Sequence, residues 1–416
     1  MEKKKKNKIY IIDVTNRDGV QTSRLGLAKL QKTMINILLN KMGVFGSEFG
    51  FPVTRHETNY LNANLELARK KVIYPLKLNG WVRAIKEDVQ KAIEKTDVEH
   101  LNLSISTSEQ MTRGKFLGKK DRNDVLKMMT DAVDYARKQK NLKIIGVNAE
   151  DASRTDMKYL IKFSKAAKDH GADRIRYCDT LGYDDPFTIY DRVRELADAV
   201  KLPIELHCHN DLGMVVACSV AGAKATIDAG CDAYINTTVN GMGERAGNAD
   251  LVSVILALKY SSGFKDSKYV LDENIKLDHA WKIAKYASYA FGVPIPINQP
   301  GVGANAFAHE SGIHADGALK DRRNYELYDF EELGRGEAEI IETGRQITAG
   351  EYSGIKGFRN VYSKLEIKFK DEKEAAKVLE LVRYANVHTQ RPLTNEELKF
   401  IARYPNIASK IFTMNP

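Results

Sequence analysis

Two histidines and one aspartate are the residues of this sequence best suited to hold a metal ion. His207 ends the apolar segment PIELH, which is typical of a β-strand, and His209 follows it two positions later. Residues i and i+2 of a strand point to the same side, so the two imidazoles are predicted to lie together. Asp18, in the stretch NRDGVQ, could add a carboxylate. Two imidazoles, one carboxylate and open positions suit a catalytic Mg, Mn, Zn, Co or Fe ion better than a closed structural zinc site.

Other polar residues also follow predicted strands. Glu48 ends an otherwise apolar strand and therefore needs a partner or a metal site. Glu150 and Arg154 lie in EDASRTD, and Thr180 follows another strand. Asn248 closes the glycine-rich stretch NGMGERAGN, which is expected to bend over an ion or an anionic group. If the strands are parallel and close into a barrel, all these residues meet at one end of it.

The chain alternates apolar strand patterns with helical patterns, which favours parallel βαβ units. Eight units within about 250 residues are what a closed (β/α)8 TIM barrel requires. An open doubly wound sheet is disfavoured, because the first strand is followed by a charged stretch rather than a glycine-rich turn. The predicted strands are 8–13, 44–49, 73–78, 99–106, 142–148, 173–178, 203–207 and 233–237. The predicted helices are 25–41, 56–70, 84–95, 121–139, 155–169, 187–199, 212–229 and 249–260.

The pattern changes after residue 260. A helix is predicted over 277–291, a Pro- and Gly-rich loop over 294–305, and two or three helices over 361–416. We therefore expect a catalytic barrel over 1–265, a linker and first C-terminal subdomain over 266–360, and a helical subdomain over 361–416. The whole C-terminal region is predicted to be mostly helical.

Composition excludes several functional classes. The 416 residues carry a net charge of +9, yet no nucleic-acid-binding motif accompanies this charge, and an anionic small molecule explains it equally well. No apolar run reaches the length of a membrane span, and the N-terminal apolar stretch is too short for a signal peptide, so a cytoplasmic location is expected. The four cysteines lack CxxC spacing and are expected to be reduced and buried.

Seven stretches between residues 13 and 320 resemble the DRE-TIM metallolyases, a family of acyl-CoA-condensing TIM-barrel metalloenzymes. They are NRDGVQ, SEFGFP, AEDASRTD, CDTLGY, HCHNDLG, TVNGMGERAGN and NAFAHESGIHADG. The resemblance implies condensation of acetyl-CoA with a 2-oxo acid at a divalent metal ion such as Mn2+, Mg2+, Co2+ or Zn2+.

The resemblance also implies residue roles. Asp18, His207 and His209 would be metal ligands, with Asn248 in or near the metal shell. The implied catalytic residues are Arg17, which would stabilise a developing alkoxide, Glu150 beside the acetyl group, and His314 with Asp316 orienting it and Tyr325 nearby. The implied substrate-binding residues are Gln21, Glu48, Arg83, Arg154 and Thr180. His314 often comes from the partner subunit in this family, which implies a homodimer.

The second substrate stays open between several 2-oxo acids. Arg154 and Arg83 could bind a distal carboxylate, which favours oxaloacetate or 2-oxoglutarate over an apolar acid. NRDGVQT with SEFGFP resembles the citrate-forming members most, with homocitrate formation as the alternative. Val20 departs from the family's usual RDGEQ and is close to the form in HMG-CoA lyases, so thioester-substrate cleavage is an alternative of another class. A barrel that binds a ligand without catalysing a reaction is a further alternative. The length leaves no room for the leucine-binding regulatory domain of some relatives, which disfavours isopropylmalate and citramalate formation.

Overall fold

The computed structural model describes residues 6–339 and 343–413, and most of this chain folds into a closed barrel of parallel strands. β1 pairs in parallel with both β8 and β2, and this double pairing closes the cylinder. The predicted (β/α)8 barrel is therefore confirmed. The strands are β1 Lys8–Asp13, β2 Gly46–Gly50, β3 Lys77–Arg83, β4 His100–Ser106, β5 Ile144–Glu150, β6 Arg174–Asp179, β7 Ile204–Cys208 and β8 Ala233–Thr237, with a short β9 Val270–Leu271 added beside the start of β1.

The helices of the barrel surround the strands and cover their outer, apolar faces. Several begin at an aspartate whose carboxylate accepts backbone N–H groups of the first turn, as Asp121, Asp156, Asp185 and Asp250 do. These caps fix the chain direction just after the strands end. The helices are α1 Lys29–Lys41, α2 Arg55–Arg69, α3 Lys86–Lys95, α4 Glu109–Lys115, α5 Arg122–Arg137, α6 Met157–Asp169, α7 Pro186–Val200, α8 Val215–Asp228 and α9 Leu251–Tyr260.

The third strand lies later in the chain than the sequence predicts. The apolar run 73–78 suggests a strand, but the structure forms β3 over Lys77–Arg83. Pro75 lacks the N–H that a central strand must donate, so the run before residue 77 cannot enter the sheet. Leu78 and Val82 are buried within the apolar core. The shift places Trp81 near the carboxyl end of the barrel, where no aromatic residue was predicted.

The C-terminal region is mostly helical, as predicted. It contains α10 Ala280–Phe291, α11 Gly312–Lys320, α12 Ile355–Lys364, α13 Glu372–Thr389, α14 Asn395–Arg403 and α15 Pro405–Phe412. The last four helices replace the two or three expected over 361–416. Because α12 crosses residue 360, the division of this region into 266–360 and 361–416 remains a proposal. Among the described residues, no helix combines the length and apolar character that spanning a membrane requires.

Asp13, the last residue of β1, gives the barrel a testable pH dependence. Its carboxyl group is fully buried and accepts hydrogen bonds from Thr15 N (2.9 Å) and Thr237 Oγ1 (3.4 Å). Burial raises its pKa to about 7. Between its ordinary pKa near 4 and about 7, the folded protein holds a proton that the unfolded chain has released.

The free energy of unfolding should therefore fall as the pH rises through 7, by on the order of a few kcal/mol from this group. Asp13→Asn should flatten the dependence. Urea unfolding of both proteins at pH 5.5 and pH 8 measures it. Equal losses of stability in the two proteins would contradict the assignment.

Candidate metal and substrate site at the barrel mouth

The predicted metal ligands converge at the carboxyl end of the barrel. Asp18 follows β1, His207 lies in β7, and His209 comes directly after β7. One ligand atom from each lies within 4.8 Å of the others, and all three side chains are buried. The Nε2 atom of His207 is 4.0 Å from Asp18 Oδ1, and that of His209 is 3.9 Å from Asp18 Oδ2. The structure therefore brings Asp18, His207 and His209 together at the barrel mouth.

The charges of the cluster suit a cation. Burial opposes ionisation of Asp18, but Arg17 and the two histidines outweigh it and lower the pKa of the carboxyl to about 2. Burial lowers the pKa of both His207 and His209, despite the attraction of Asp18. An ionised carboxylate and neutral imidazoles are the protonation states in which these groups can donate lone pairs to a metal.

Asn248 joins the cluster from the glycine-rich loop after β8. Its Nδ2 donates to Asp18 Oδ2 at 2.6 Å, and its backbone forms a bridge with His209. Gly243 makes this approach possible, since its φ is +157° and a Cβ there would lie 2.0 Å from Asn248 Nδ2. The structure thus places Asn248 beside Asp18 and His209.

The donor set fits a divalent metal ion. Two imidazole nitrogens and a carboxylate occupy one side of the cluster, which leaves positions open for substrate. Asn248 Oδ1 is buried and has no hydrogen-bond partner within the described chain. Such an unpaired amide oxygen is costly without a donor or a cation nearby. Asp18, His207 and His209 are the residues that would hold the ion, with Asn248 beside them.

Arg17 connects the metal cluster to a buried ionic network. It donates from Nη1 to Asp18 Oδ1 at 2.6 Å and from Nε to Glu48 Oε1 at 2.5 Å. Glu48 is fully buried and also accepts from Arg176 Nη2 at 2.5 Å and Asn102 Nδ2 at 2.7 Å. Burial opposes its ionisation, but Arg17 and Arg176 hold the pKa of Glu48 well below its usual range. Glu48 therefore fixes the guanidinium groups of Arg17 and Arg176.

The network continues through the barrel interior to Glu205 of β7. Arg176 donates to Glu205 Oε1 from Nε at 2.9 Å and from Nη2 at 2.5 Å, and Arg174 pairs with Glu205 Oε2 at 2.7 Å. Asn236 Nδ2 donates to the same carboxylate at 2.8 Å. Burial opposes ionisation of Glu205, but Arg174 and Arg176 keep its pKa below the ordinary value. Breaking such a pair from one side leaves an uncompensated buried charge.

A cavity of about 250 Å³ opens above this network. It brings several of the predicted site residues together. Seven of them line it: Arg17, Asp18, Gln21, Glu150, Thr180, His207 and His209.

Glu150, the last residue of β5, is held by two neighbours. Ser106 Oγ donates to Glu150 Oε2 at 2.5 Å, and Lys115 Nζ lies 2.6 Å from Oε1. Lys115 comes from α4, a helix that the sequence did not predict. Thr180 accepts from Asp151 N through its Oγ1 at 2.9 Å. These contacts fix both side chains at the cavity wall before any substrate binds.

Three predicted substrate-binding residues do not line the cavity. Glu48 lies beneath it, within the ionic network. Arg83 forms a two-point ion pair with Asp88 of α3, at 2.8 Å on each side, and its side chain is 61% exposed. Arg154 pairs with Asp151 three residues before it, at 2.7 Å. Both arginines are engaged locally because an acidic residue lies within a few positions of each, which a pattern of strand ends does not reveal.

His314, Asp316 and Tyr325 lie on and after α11, and none of them lines the cavity of this chain. The rings of His314 and Tyr325 lie 4.3 Å apart, as the prediction of a nearby tyrosine requires. Asp316 pairs instead with Lys320 at 2.6 Å, and no hydrogen bond joins it to His314 in residues 6–339 and 343–413. Residues four apart on a helix face each other, which explains this pairing.

The residues that the sequence did not predict include Trp81, Asn148 and Arg176, which line the cavity, and Ser106, which holds Glu150. Each lies on a strand and points inward. A signal was present in β4 and β6, where polar residues alternate with apolar ones in NLSIS and RIRYC. Alternation of period two marks residues that share one face of a strand, and in a barrel that face is the interior.

The fold and the site define a TIM barrel with two imidazoles and a carboxylate at its mouth. A family model described as HMGL-like matches residues 8–286, and one described as homocitrate synthase post-HMGL domain-like matches residues 302–389. The chain belongs to the HMGL-like family, and the family predicted from the motifs is confirmed.

Relatives with several named activities are similar along most of the chain. A citrate (Re)-synthase of Dehalococcoides mccartyi is 61% identical over 98% of this chain and 99% of its own. A 2-isopropylmalate synthase of Caldanaerobacter subterraneus is 40% identical over 96% of both chains, and a homocitrate synthase of Nostoc is 34% identical over 94% and 96%. The HMG-CoA lyase of Bacillus subtilis shares the fold, with a TM-score of 0.56 and 20% identity over 71% of this chain and 97% of its own.

Proposed function

We propose that this chain condenses acetyl-CoA with oxaloacetate and releases citrate and CoA. The observation that carries the proposal is the cluster of Asp18, His207 and His209 beside Arg17 at the barrel mouth. The similarity of nearly the whole chain to a citrate (Re)-synthase favours oxaloacetate over 2-oxoglutarate. Both the family and the geometry of this site support an acyl-transferring, condensing enzyme.

The metal site is part of the proposal. Asp18, His207 and His209 would hold a divalent ion, Mn2+, Mg2+, Co2+ or Zn2+, with Asn248 beside it. When bound, such an ion supplies Lewis-acid polarisation of the 2-oxo group.

Arg17 and Thr180 would position the 2-oxo acid. The Arg17 guanidinium is fixed by Glu48 and Asp18, and it borders the cavity where the carbonyl oxygen becomes an alkoxide. A preorganised positive charge stabilises that oxygen without rearrangement during the reaction. Thr180 lines the same cavity and would bind the carboxylate next to the 2-oxo group.

The acetyl group would lie beside Glu150, whose carboxylate is held by Ser106 and Lys115. A base removes a proton from the acetyl methyl group, and the resulting carbanion forms the new C–C bond with the 2-oxo carbon. The alkoxide takes up a proton. Water then cleaves the thioester, which yields a carboxylate and free CoA thiol. His314, with Tyr325 against its ring, is the proposed acid–base group.

The exposed position of His314 supports the proposal of a homodimer. In the described chain, α11 buries none of its residues, and Ile313 and Leu319 are 76% and 88% exposed. A helix with exposed apolar residues and an exposed histidine suits a contact with a second copy. We propose that α11 of one subunit reaches the barrel mouth of the other.

Release of free CoA thiol tests the function directly. The protein, loaded with Mn2+ or Mg2+, is mixed with acetyl-CoA and one acid at a time: oxaloacetate, 2-oxoglutarate, 2-oxoisovalerate or pyruvate. Metal-dependent release with oxaloacetate is expected. Release with 2-oxoglutarate instead would identify homocitrate formation. If no acid caused release of free CoA, the proposed synthase activity would be refuted. The next assay would then be cleavage of HMG-CoA, which yields acetyl-CoA rather than free thiol.

A further inference from the structure

The cavity wall away from the metal cluster carries a polar group that the reaction scheme leaves unused. Asn148 of β5 lines the cavity together with Trp81 and Arg176. Its amide oxygen accepts from Trp81 Nε1 at 3.3 Å and from Arg176 Nη1 at 3.2 Å. Both neighbours can only donate, so the amide must present its oxygen to them. The Nδ2 group, with two N–H donors, then points away from Trp81 and Arg176.

The surroundings lock this orientation. Trp81 is held edge-on by Phe51, with ring centroids 5.5 Å apart, and the Arg17 guanidinium lies 5.5 Å from the indole ring. Asn148 itself is only 1% exposed. A buried amide that cannot rotate is a directional hydrogen-bond donor, as a binding site for a specific acceptor requires.

Arg176 cannot itself be the direct ligand. It has five N–H donors, and they are engaged by Glu48, Glu205 and the Asn148 oxygen. It does supply positive charge directly behind the Asn148 amide. The pKa of Arg176 is raised by its two carboxylate partners, although burial opposes this, so the positive charge is permanent.

The charges of the barrel interior also favour a dianion. The buried charged side chains of the metal cluster and of the ionic network beneath the cavity are three arginines and three carboxylates, so they sum to zero. They are Arg17, Arg174, Arg176, Asp18, Glu48 and Glu205. A divalent metal adds two positive charges, and a dicarboxylate removes them, whereas a monocarboxylate leaves one positive charge uncompensated in a buried site.

We propose that Asn148, oriented by Trp81 and Arg176, binds the second carboxylate of the 2-oxo acid and thereby selects a dicarboxylic substrate. This assignment rests on the proposed function and replaces Arg83 and Arg154, whose guanidinium groups are paired elsewhere. The pair of probes that tests it is oxaloacetate and 2-oxobutyrate. They share the 2-oxo acid group and a four-carbon chain, but 2-oxobutyrate ends in a methyl group.

The experiment measures kcat/KM for both acids in the wild type, Asn148→Leu and Asn148→Asp. Asn148→Leu should lower kcat/KM for oxaloacetate by about 10- to 100-fold, the value of a hydrogen bond to a charged group, and leave that for 2-oxobutyrate within a few-fold. Asn148→Asp keeps the size and can still accept from Trp81 and Arg176, but it loses both donors and repels a carboxylate. It should therefore be at least as impaired with oxaloacetate as Asn148→Leu.

A role limited to holding Trp81 and Arg176 predicts the opposite pattern. Asn148→Asp would then restore the activity that Asn148→Leu loses, or both acids would be affected equally, and either result would overturn the proposal. Calorimetric binding of malate and 2-hydroxybutyrate to the Mg2+-loaded variants gives a second readout without turnover. Only malate binding should weaken. A wild type that does not turn over oxaloacetate would instead refute the proposed function, so the two failures are distinguishable.

Discussion

Replacing His209 by alanine should abolish metal binding and lower kcat for CoA release by about 1000-fold or more, since Lewis-acid polarisation contributes several kcal/mol. His209 Nε2 lies 3.9 Å from Asp18 Oδ2 in a cluster that offers three strong ligands. Removal of one leaves His207 and Asp18, too few to hold a divalent ion firmly. Titration with Mn2+ followed by electron paramagnetic resonance measures binding independently of activity.

The matched control for this variant is His170→Ala. His170 is also a histidine paired with an aspartate, Asp134 at 2.7 Å, but it lies on the exposed surface at the end of α6. It should bind Mn2+ as tightly as the wild type. If His209→Ala also retained full Mn2+ affinity, the cluster would not be the metal site.

Replacing His314 by alanine should lower turnover by about 100- to 10,000-fold, the usual contribution of an acid–base group, without loss of stability. The residue is exposed on a helix that buries none of its described side chains, so its removal leaves no cavity. Circular dichroism and thermal unfolding verify that the fold persists. The informative step is to mix this variant with Asp18→Asn.

Mixed dimers distinguish transfer between subunits from action within one chain. The His314→Ala chain keeps its metal ligands, and the Asp18→Asn chain keeps its histidine. If α11 serves the partner's barrel, each mixed dimer contains one complete site, and random exchange should restore about a quarter of the wild-type activity. If His314 served its own barrel, mixing the two inactive variants would restore nothing.

The residues that could be predicted are those at the ends of strands. His207 and His209 lie two residues apart, and strand geometry alone places their side chains on the same side. Asp18 joins them because a closed barrel brings the ends of β1 and β7 to the same mouth. The barrel itself follows from eight repeats of strand and helix, which is a strong and redundant signal.

The residues that could not be predicted depend on which of the possible partners the fold brings into contact with them. Arg83 and Arg154 have the right charge and lie near the mouth, but Asp88 and Asp151 hold them in ion pairs that no motif encodes. Arg176 was overlooked because a charge inside a barrel is unusual, and its significance appears only when Glu48 and Glu205, 128 and 29 residues away, come into contact with it. Trp81 was not predicted because the third strand was placed over 73–78. That apolar run resembles a strand, but Pro75 keeps it out of the sheet.

Because of the ionic network beneath the cavity, the polar groups around the substrate are oriented during folding rather than during the reaction. In water, each new charge on a reacting molecule forces the surrounding solvent to reorient. Here Glu48 and Glu205 fix the guanidinium groups of Arg17, Arg174 and Arg176 when the barrel folds. The medium that faces the substrate is thus already polarised and has little freedom to relax. The barrel interior therefore acts as a preorganised polar medium. Part of the stability lost by burying these five charges lowers the reorganisation energy of each catalytic cycle.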